Sequence, residues 1–133
     1  MSAPPVLMPD AVAVMADYLR AALAARGVSD PVGSSVPSPR PARFVRMERI
    51  GGPANSPVTD RPRLDVECWG ADEADAHDLA QLCRALLGAA RGRHGTTTLA
   101  RPATGGPQWL PDKESGQPRF VFTLDVTMRG EAL

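Results

Sequence analysis

The sequence predicts an α+β fold in which two helices lie on one face of an antiparallel or mixed four-stranded sheet. Two stretches repeat apolar residues at spacings of three and four, and the last part of the chain alternates apolar and polar residues. These are the periods of an amphipathic helix and of a half-buried strand. The order is helix, strand, strand, helix, strand, strand. Strands that follow one another without a helix between them pair most easily as hairpins.

The bulk composition indicates one globular domain covering residues 1–133. The chain is 43% hydrophobic and 23% charged, and its 15 basic side chains are balanced by 15 acidic ones. A chain of this length buries about two thirds of its extended surface around one core. The charge balance argues against bulk binding of DNA, which relies on a strongly basic surface.

The sequence also predicts that the protein has no membrane partner and is made in the cytoplasm. No basic stretch followed by an apolar run opens the chain, and nowhere do eighteen apolar residues stand together. The two cysteines, Cys68 and Cys83, are too few for a disulfide framework. A reducing compartment fits this cysteine usage.

The first predicted helix begins after Asp10, which can cap its N-terminus, and ends at Gly27. Its apolar stripe consists of Val12, Met15, Leu19 and Leu23. Residues 28–41, with the sequence VSDPVGSSVPSPRP, contain too much proline and serine for a helix or a central strand. We interpret them as an arm or a linker.

Two strands are predicted next, over residues 42–50 and around the alternating residues Leu64, Val66 and Cys68. Between them lie residues 51–62, with the sequence GGPANSPVTDRP. Turn residues dominate this segment, so we expect a long exposed loop that the core does not need.

The second predicted helix has an acidic start and a basic end, as the helix dipole favours. Asp72, Glu73, Asp75 and Asp78 cluster at its start, and Arg84, Arg91 and Arg93 at its end. An apolar stripe from Ala76 to Ala90 indicates about four turns packed on a sheet. Capping explains the four carboxylates without any acid–base role.

The chain closes with two further strands separated by a second long loop. Residues 95–102 predict a short strand, and residues 119–129 give the clearest alternation in the chain. The loop between them, residues 105–118, opens with the same GGP tripeptide as residues 51–62. This suggests a weak internal repeat.

No residue pattern predicts chemistry. Cys68 and His77 are the only conceivable nucleophile and base, yet Cys68 falls on the apolar face of its strand. His77 and Asp78 are adjacent on a helix and point about 100 degrees apart, which does not suit a metal. Both GGP loops lead into strand-like segments, unlike phosphate-binding loops. We predict no catalytic residue, no metal site and no cofactor.

Two features leave alternatives open. The arginines between residues 40 and 63 oppose only Glu48 and Asp60, so this stretch is either a solvated strand face or a patch for DNA or a partner. Trp109 and Leu110 either fold back on the edge of the core or dock on a partner. The candidate contact residues are Arg46, Arg49, Gly51, Gly52, Asn55, Arg61, Trp109 and Leu110.

Several phrases of the sequence resemble a known family. They are VRMERIGGP, RLDVECW and ADAHDLA, followed by GGPQWLPD and SGQPRFVFTLDVTMRG. Together, between residues 10 and 130, they resemble the tail terminator proteins of long-tailed phages that infect actinobacteria.

This resemblance implies a structural virion protein of the tail and neck. Such a subunit would form a hexameric ring that caps the tail tube, with the tube protein on one side and the neck or connector proteins on the other. Genomic DNA would only pass through the lumen. The alternatives are another small head–tail connector or tail-completion protein, a small host-cell ligand-binding domain or enzyme, and a nucleic-acid module using residues 40–63.

Overall fold

The structure is a computed structural model that describes residues 4–54 and 56–133. Within these residues the chain forms two helices and ten strands, which confirms the α+β class. The elements in order are β1 (Val6–Leu7), α1 (Ala11–Ala24), β2 (Val32–Gly33), β3 (Phe44–Arg49), β4 (Thr59–Asp60), β5 (Arg63–Trp69), α2 (Glu73–Gly88), β6 (Gly92–His94), β7 (Thr97–Thr104), β8 (Gln108–Trp109), β9 (Arg119–Arg129) and β10 (Glu131–Ala132).

Eight of the described strands form one mixed sheet that curls into a half-barrel. Its order is β2-β3-β5-β9-β7-β6, and β4 and β8 pair with further parts of β9. Only β2 and β3 are parallel. The prediction of four strands was therefore too low. β1 and β10 pair with each other and join the two ends of the described chain.

Strand β9 organises the sheet, because it is the longest strand and pairs on both of its edges. Its alternate residues from Phe120 to Met128 are buried, as the period-two pattern predicted. Both helices contribute to the same core cluster as these residues, so the two helices cover one face of the sheet. We call the opposite face, which carries Arg46, Glu67 and Asp125, the open face.

Helix α1 agrees with its prediction at both ends. The carboxylate of Asp10 accepts a hydrogen bond from the backbone N–H of Ala13 at 3.1 Å, which satisfies a free donor of the first turn. Gly27 has a φ of 77°, the left-handed conformation that glycine adopts most easily. Met15, Leu19 and Leu23 are buried.

Helix α2 starts as predicted but ends earlier. The carboxylate of Asp72 accepts a hydrogen bond from the backbone N–H of Asp75 at 2.8 Å. The helix ends at Gly88 and has no basic residue in its last turn. Arg91 and Arg93 lie beyond it, with Arg93 on β6. The predicted basic end was wrong, because Arg91 and Arg93 belong to the connection and hairpin that follow.

Residues 28–41 lie against their own chain rather than forming a detached arm or linker. β2 within them pairs with β3. Arg20 donates a hydrogen bond to the backbone oxygen of Val32 at 2.6 Å, and Arg43 contacts the carboxylate of Asp30 at 2.9 Å. Arg40 donates to Gln117 at 2.7 Å, which ties this segment to residues 105–118.

The two predicted loops also contain short strands. β4 lies within residues 51–62, β8 within residues 105–118, and both pair with β9. These segments therefore add short strands to the sheet, which the sequence did not predict. The predicted strand over residues 95–102 is longer, reaching Thr104 as β7, and forms a hairpin with β6. Two-residue strands carry no periodicity, so no pattern indicates them.

Candidate functional site

The open face carries a network of charged side chains that neutralise one another. Arg46 donates to the carboxylate of Glu67 at 2.6 Å, and Arg119 contacts the other oxygen of Glu67 at 3.3 Å. The hydrogen bond to Glu67 raises the pKa of Arg46. Arg46, a predicted contact residue, thus lies on this face with its charge satisfied by its own chain.

The same network extends along the face. Arg63 forms a bidentate pair with Asp125, at 3.0 and 3.2 Å. Glu48 and Asp65 lie directly opposite each other on β3 and β5. Burial and the nearby carboxylate of Glu48 raise the pKa of Asp65. The open face is therefore a balanced surface of ion pairs with one unfavourable pair of like charges.

Arg49 closes the turn that follows β3. Its guanidinium donates to both oxygens of Asp60, at 2.7 and 3.0 Å, and to the backbone oxygens of Gly51 and Gly52. The hydrogen bond to Asp60 raises the pKa of Arg49. Arg49, a predicted contact residue, holds residues 51–62 in place.

The glycines of the first GGP tripeptide shape this turn. Gly51 and Gly52 have φ values of 121° and 93°, which strain any other residue. A Cβ atom on Gly52 would lie 2.1 Å from the backbone oxygen of Arg61, whereas one on Gly51 would meet nothing within 4 Å. Gly52 is therefore required by close packing of the backbone.

Several exposed side chains surround the end of β9. Ile50 and Val58 are 46% and 40% exposed. Arg61 and Arg129 are exposed and have no carboxylate within 4.0 Å among residues 4–54 and 56–133. We call Ile50, Val58, Arg61 and Arg129 the arginine end. The predicted contact residue Asn55 falls outside the described residues.

A second exposed group surrounds the start of β9. Trp109 and Leu110 are 42% and 46% exposed, although β8 pairs with β9. The indole of Trp109 lies 5.2 Å from the ring of Phe120, and the imidazole of His77 lies 5.1 Å from that ring on the α2 side. Trp109 therefore packs on the edge of the core and is also partly exposed to solvent, so docking on a partner stays a prediction.

The first turns of α2 place carboxylates beside this aromatic group. Glu73 and Asp78 border a groove of about 420 Å³ together with His77 and Phe120. Asp78 is 80% exposed, and its only ion-pair partner within the described chain is His77, at 3.9 Å. We call Glu73, His77, Asp78 and Trp109 the tryptophan end. Leu110 follows on the other side of the sheet, where it lines a groove with Asp65, Val121 and Thr123.

The two ends are far apart because β9 connects them. Trp109 pairs with Phe120 near the start of the strand, and Thr59 of β4 pairs with Arg129 at its end. An extended strand rises about 3.3 Å per residue, so the two groups are separated by about 30 Å along β9. Among the described contact residues, Arg61 thus lies toward the end of β9 and Trp109 and Leu110 lie near its start. Arg46 lies on the open face, and Arg49, Gly51 and Gly52 form the turn after β3.

The thiols and imidazoles do not form a reactive group. Cys68 and Cys83 are both fully buried in the core. Burial raises the pKa of Cys68 well above its usual value, with a contribution from Cys83. Among the side-chain hydrogen bonds of the described residues, none joins Cys68 to His77. A protonated, inaccessible thiol is a poor nucleophile.

The described residues also lack a cluster of three or more His, Cys, Asp or Glu side chains that could hold a metal ion. Neither helix in this part of the chain is long and apolar enough to cross a membrane.

No family model matches the sequence, and no curated protein matches it.

Sequence reasoning did not predict that the carboxylates of the tryptophan end, or Ile50, Val58 and Arg129, would be exposed together around β9. The carboxylates of α2 were assigned to capping, which is correct for Asp72 but not for Asp78, six residues further along the helix. The available signal was the position of Asp78, which lies almost two helical turns beyond the N-cap residue Asp72 and is therefore too far along to cap the helix. For Ile50 and Val58, the sequence holds no signal, because an isolated apolar residue in a loop can be buried or exposed.

Proposed function

We propose that this protein is a tail terminator of a long-tailed bacteriophage, a virion subunit that forms a hexameric ring on the tail tube and joins it to the neck proteins. One observation carries the assembly part of this proposal. Around the eight-stranded sheet, exposed apolar side chains lie both at the tryptophan end and at the arginine end, while Leu7 and Leu133 are exposed beside the β1–β10 pair. Rings form when a subunit binds its neighbour through two different surfaces and the rotation closes.

The place of the ring in the virion rests on the sequence resemblance between residues 10 and 130. The open face is compatible with that place, because Arg46 and Arg63 are neutralised by Glu67 and Asp125. A lumen of balanced charge lets DNA slide, whereas a strongly basic lumen would hold the polyanion. In this proposal the DNA passes through the ring and is not a bound ligand.

The first test is the mass of the purified chain in solution, measured by light scattering across concentration, with electron micrographs of the same sample. We expect rings of about six subunits. The second test mixes the protein with isolated tail tubes and locates it with a gold-labelled antibody. A terminator should label only one end of each tube, because it caps the end at which the tube is completed.

Two results would change the proposal. A chain that stays monomeric at all concentrations and does not bind tail tubes would overturn it. A chain that forms rings but binds only isolated neck or connector proteins would instead be the other small head–tail connector suggested by the sequence.

A further inference from the structure

The tryptophan end offers an apolar surface bordered by negative charge. Trp109 is 42% exposed and its indole lies 5.2 Å from the ring of Phe120, which lines a groove with Glu73, Ala74, His77 and Asp78. Within the described chain, Glu73 has no ion-pair partner and Asp78 has only the nearby imidazole of His77. The nearby cation Arg119 is engaged, since it contacts Glu67 and donates to the backbone oxygen of Leu110.

The arginine end offers an apolar surface with the opposite charge. Ile50 and Arg61 line one groove of about 460 Å³ with Gly52, Pro53, Arg63 and Asp125. The nearby carboxylates of Asp60 and Asp125 are already paired, with Arg49 and Arg63. Glu131 lies two residues beyond Arg129, so the charge of this end stays positive but is not large.

Contact between copies therefore favours one arrangement. If either end met the same end of a second copy, like charges would lie against each other, which costs binding energy. If the tryptophan end of one copy met the arginine end of another, Glu73 and Asp78 would approach Arg61 and Arg129. Each contact would then bring aromatic and aliphatic side chains together inside a rim of opposite charges, the usual anatomy of a protein interface.

We propose that copies of this chain associate head to tail, with the tryptophan end of each copy docked on the arginine end of the next. Trp109 is the apolar anchor of this contact, and the charges of Glu73 and Arg61 set its direction. The inference rests on the proposed ring, for which it names the contact between neighbours. Because the two ends lie about 30 Å apart along β9, one subunit binds two neighbours at the same time.

The test reverses one charge at each end in the full-length chain. Arg61→Glu and Glu73→Arg each place like charges in the contact, and we expect each to raise the concentration at which half of the chains are assembled by about tenfold or more. The double variant carries both reversals and restores complementary charges, so it assembles near the wild-type concentration. Light scattering gives the assembly midpoint, and circular dichroism confirms that each variant is folded.

Two further variants separate the contact from general charge effects. Arg26→Glu reverses an exposed arginine beyond α1 that belongs to neither end, and leaves the midpoint unchanged. Trp109→Ser removes the anchor and weakens assembly in both the wild-type and the doubly reversed chain.

The outcomes distinguish this contact from the proposed function. Reversed variants that form rings as readily as the wild type would overturn the head-to-tail contact and leave the terminator proposal standing. A wild-type chain that remains monomeric at high concentration would also overturn the contact, whereas binding to tail-tube ends would still decide the function.

Discussion

The guanidinium of Arg49 holds both carboxylate oxygens of Asp60, at distances of 2.7 and 3.0 Å. The Asp60 side chain is 7% exposed and that of Arg49 is 35% exposed, so the carboxylate of this ion pair is buried and the guanidinium is partly exposed. Asp60 belongs to β4, which pairs with the end of β9, while Arg49 ends β3. One contact therefore links β4 to the end of β3, and it explains why β4 lies next to the arginine end.

Two replacements of Arg49 should lower the free energy of unfolding by different amounts. Arg49→Lys keeps the charge but loses the bidentate geometry, and we expect a loss of about 1–2 kcal/mol in the free energy of unfolding. Arg49→Ala leaves the buried carboxylate of Asp60 without a partner and should cost about 3 kcal/mol. Urea denaturation measures both values.

The double variant Arg49→Ala/Asp60→Ala is the control for this pair. Its loss should be smaller than the sum of the two single losses, because neither partner is left unpaired. Additive losses would show that the two side chains act independently.

Gly52 should tolerate substitution less well than its neighbour Gly51. Both have positive φ, so each alanine variant carries backbone strain of about 1–3 kcal/mol. Only at Gly52 does the new Cβ also collide with the backbone of Arg61 and Arg63. We expect Gly52→Ala to unfold at a clearly lower temperature than Gly51→Ala in thermal melts, and equal melting temperatures would contradict the close approach.

Asp65→Asn should stabilise the protein at neutral pH. The pKa of Asp65 is raised by burial and by Glu48, so its ionised form is less stable in the folded state. In the wild type this loss of folding free energy is absent below the unfolded-state pKa of about 3.9, where Asp65 is protonated in both states. The loss develops as the pH rises through the folded-state pKa. The advantage of the variant over the wild type should be present at pH 7 and vanish below about pH 4.

Asp75→Asn is the matched control, because its pH dependence has the opposite sign. The pKa of Asp75 is lowered by the backbone N–H of Ala71 and by Arg43. Its stabilising contribution is present above the unfolded-state pKa of about 3.9 and is lost as the pH falls through the folded-state value. This variant should be less stable than the wild type at pH 7, with the difference closing in acid. Denaturation at several pH values separates the two carboxylates.

The two thiols should be unreactive in the folded protein. Cys68 and Cys83 are fully buried, and burial raises the pKa of Cys68. A disulfide reagent at pH 8 should label both only as fast as the protein opens, and within seconds after denaturation. Rapid labelling of the native protein would favour the alternative of an enzyme. A folded Cys68→Ala variant that loses an enzymatic activity shown by the wild type would favour the same alternative.

Long, regular elements of this fold could be predicted from the sequence. β9 and α1 each expose a periodic pattern that only one backbone geometry can turn into a single buried face, so their bounds follow from local residues. The caps at Asp10 and Asp72 were also predictable, because a side chain three residues from a free backbone N–H is a local feature.

The candidate contact residues show where this local reasoning stops. Their types were visible in the sequence, but Arg46 and Arg49 are bound by Glu67 and Asp60, which lie 21 and 11 residues away along the chain. Trp109 and Arg61 remain exposed. No pattern separates a paired arginine from an exposed one, because the partner arrives through folding.

The sequence by itself determined the α+β class, the two helices and the longest strand, since periodicity acts over neighbouring residues. Only the tertiary structure decided that β4 and β8 extend the sheet, that residues 28–41 lie against β3, and that exposed residues gather at two ends of β9. These features depend on contacts between distant segments. The physical reason is that short strands and ion pairs are stabilised by whichever surface the rest of the chain presents, and that surface exists only once the core has formed.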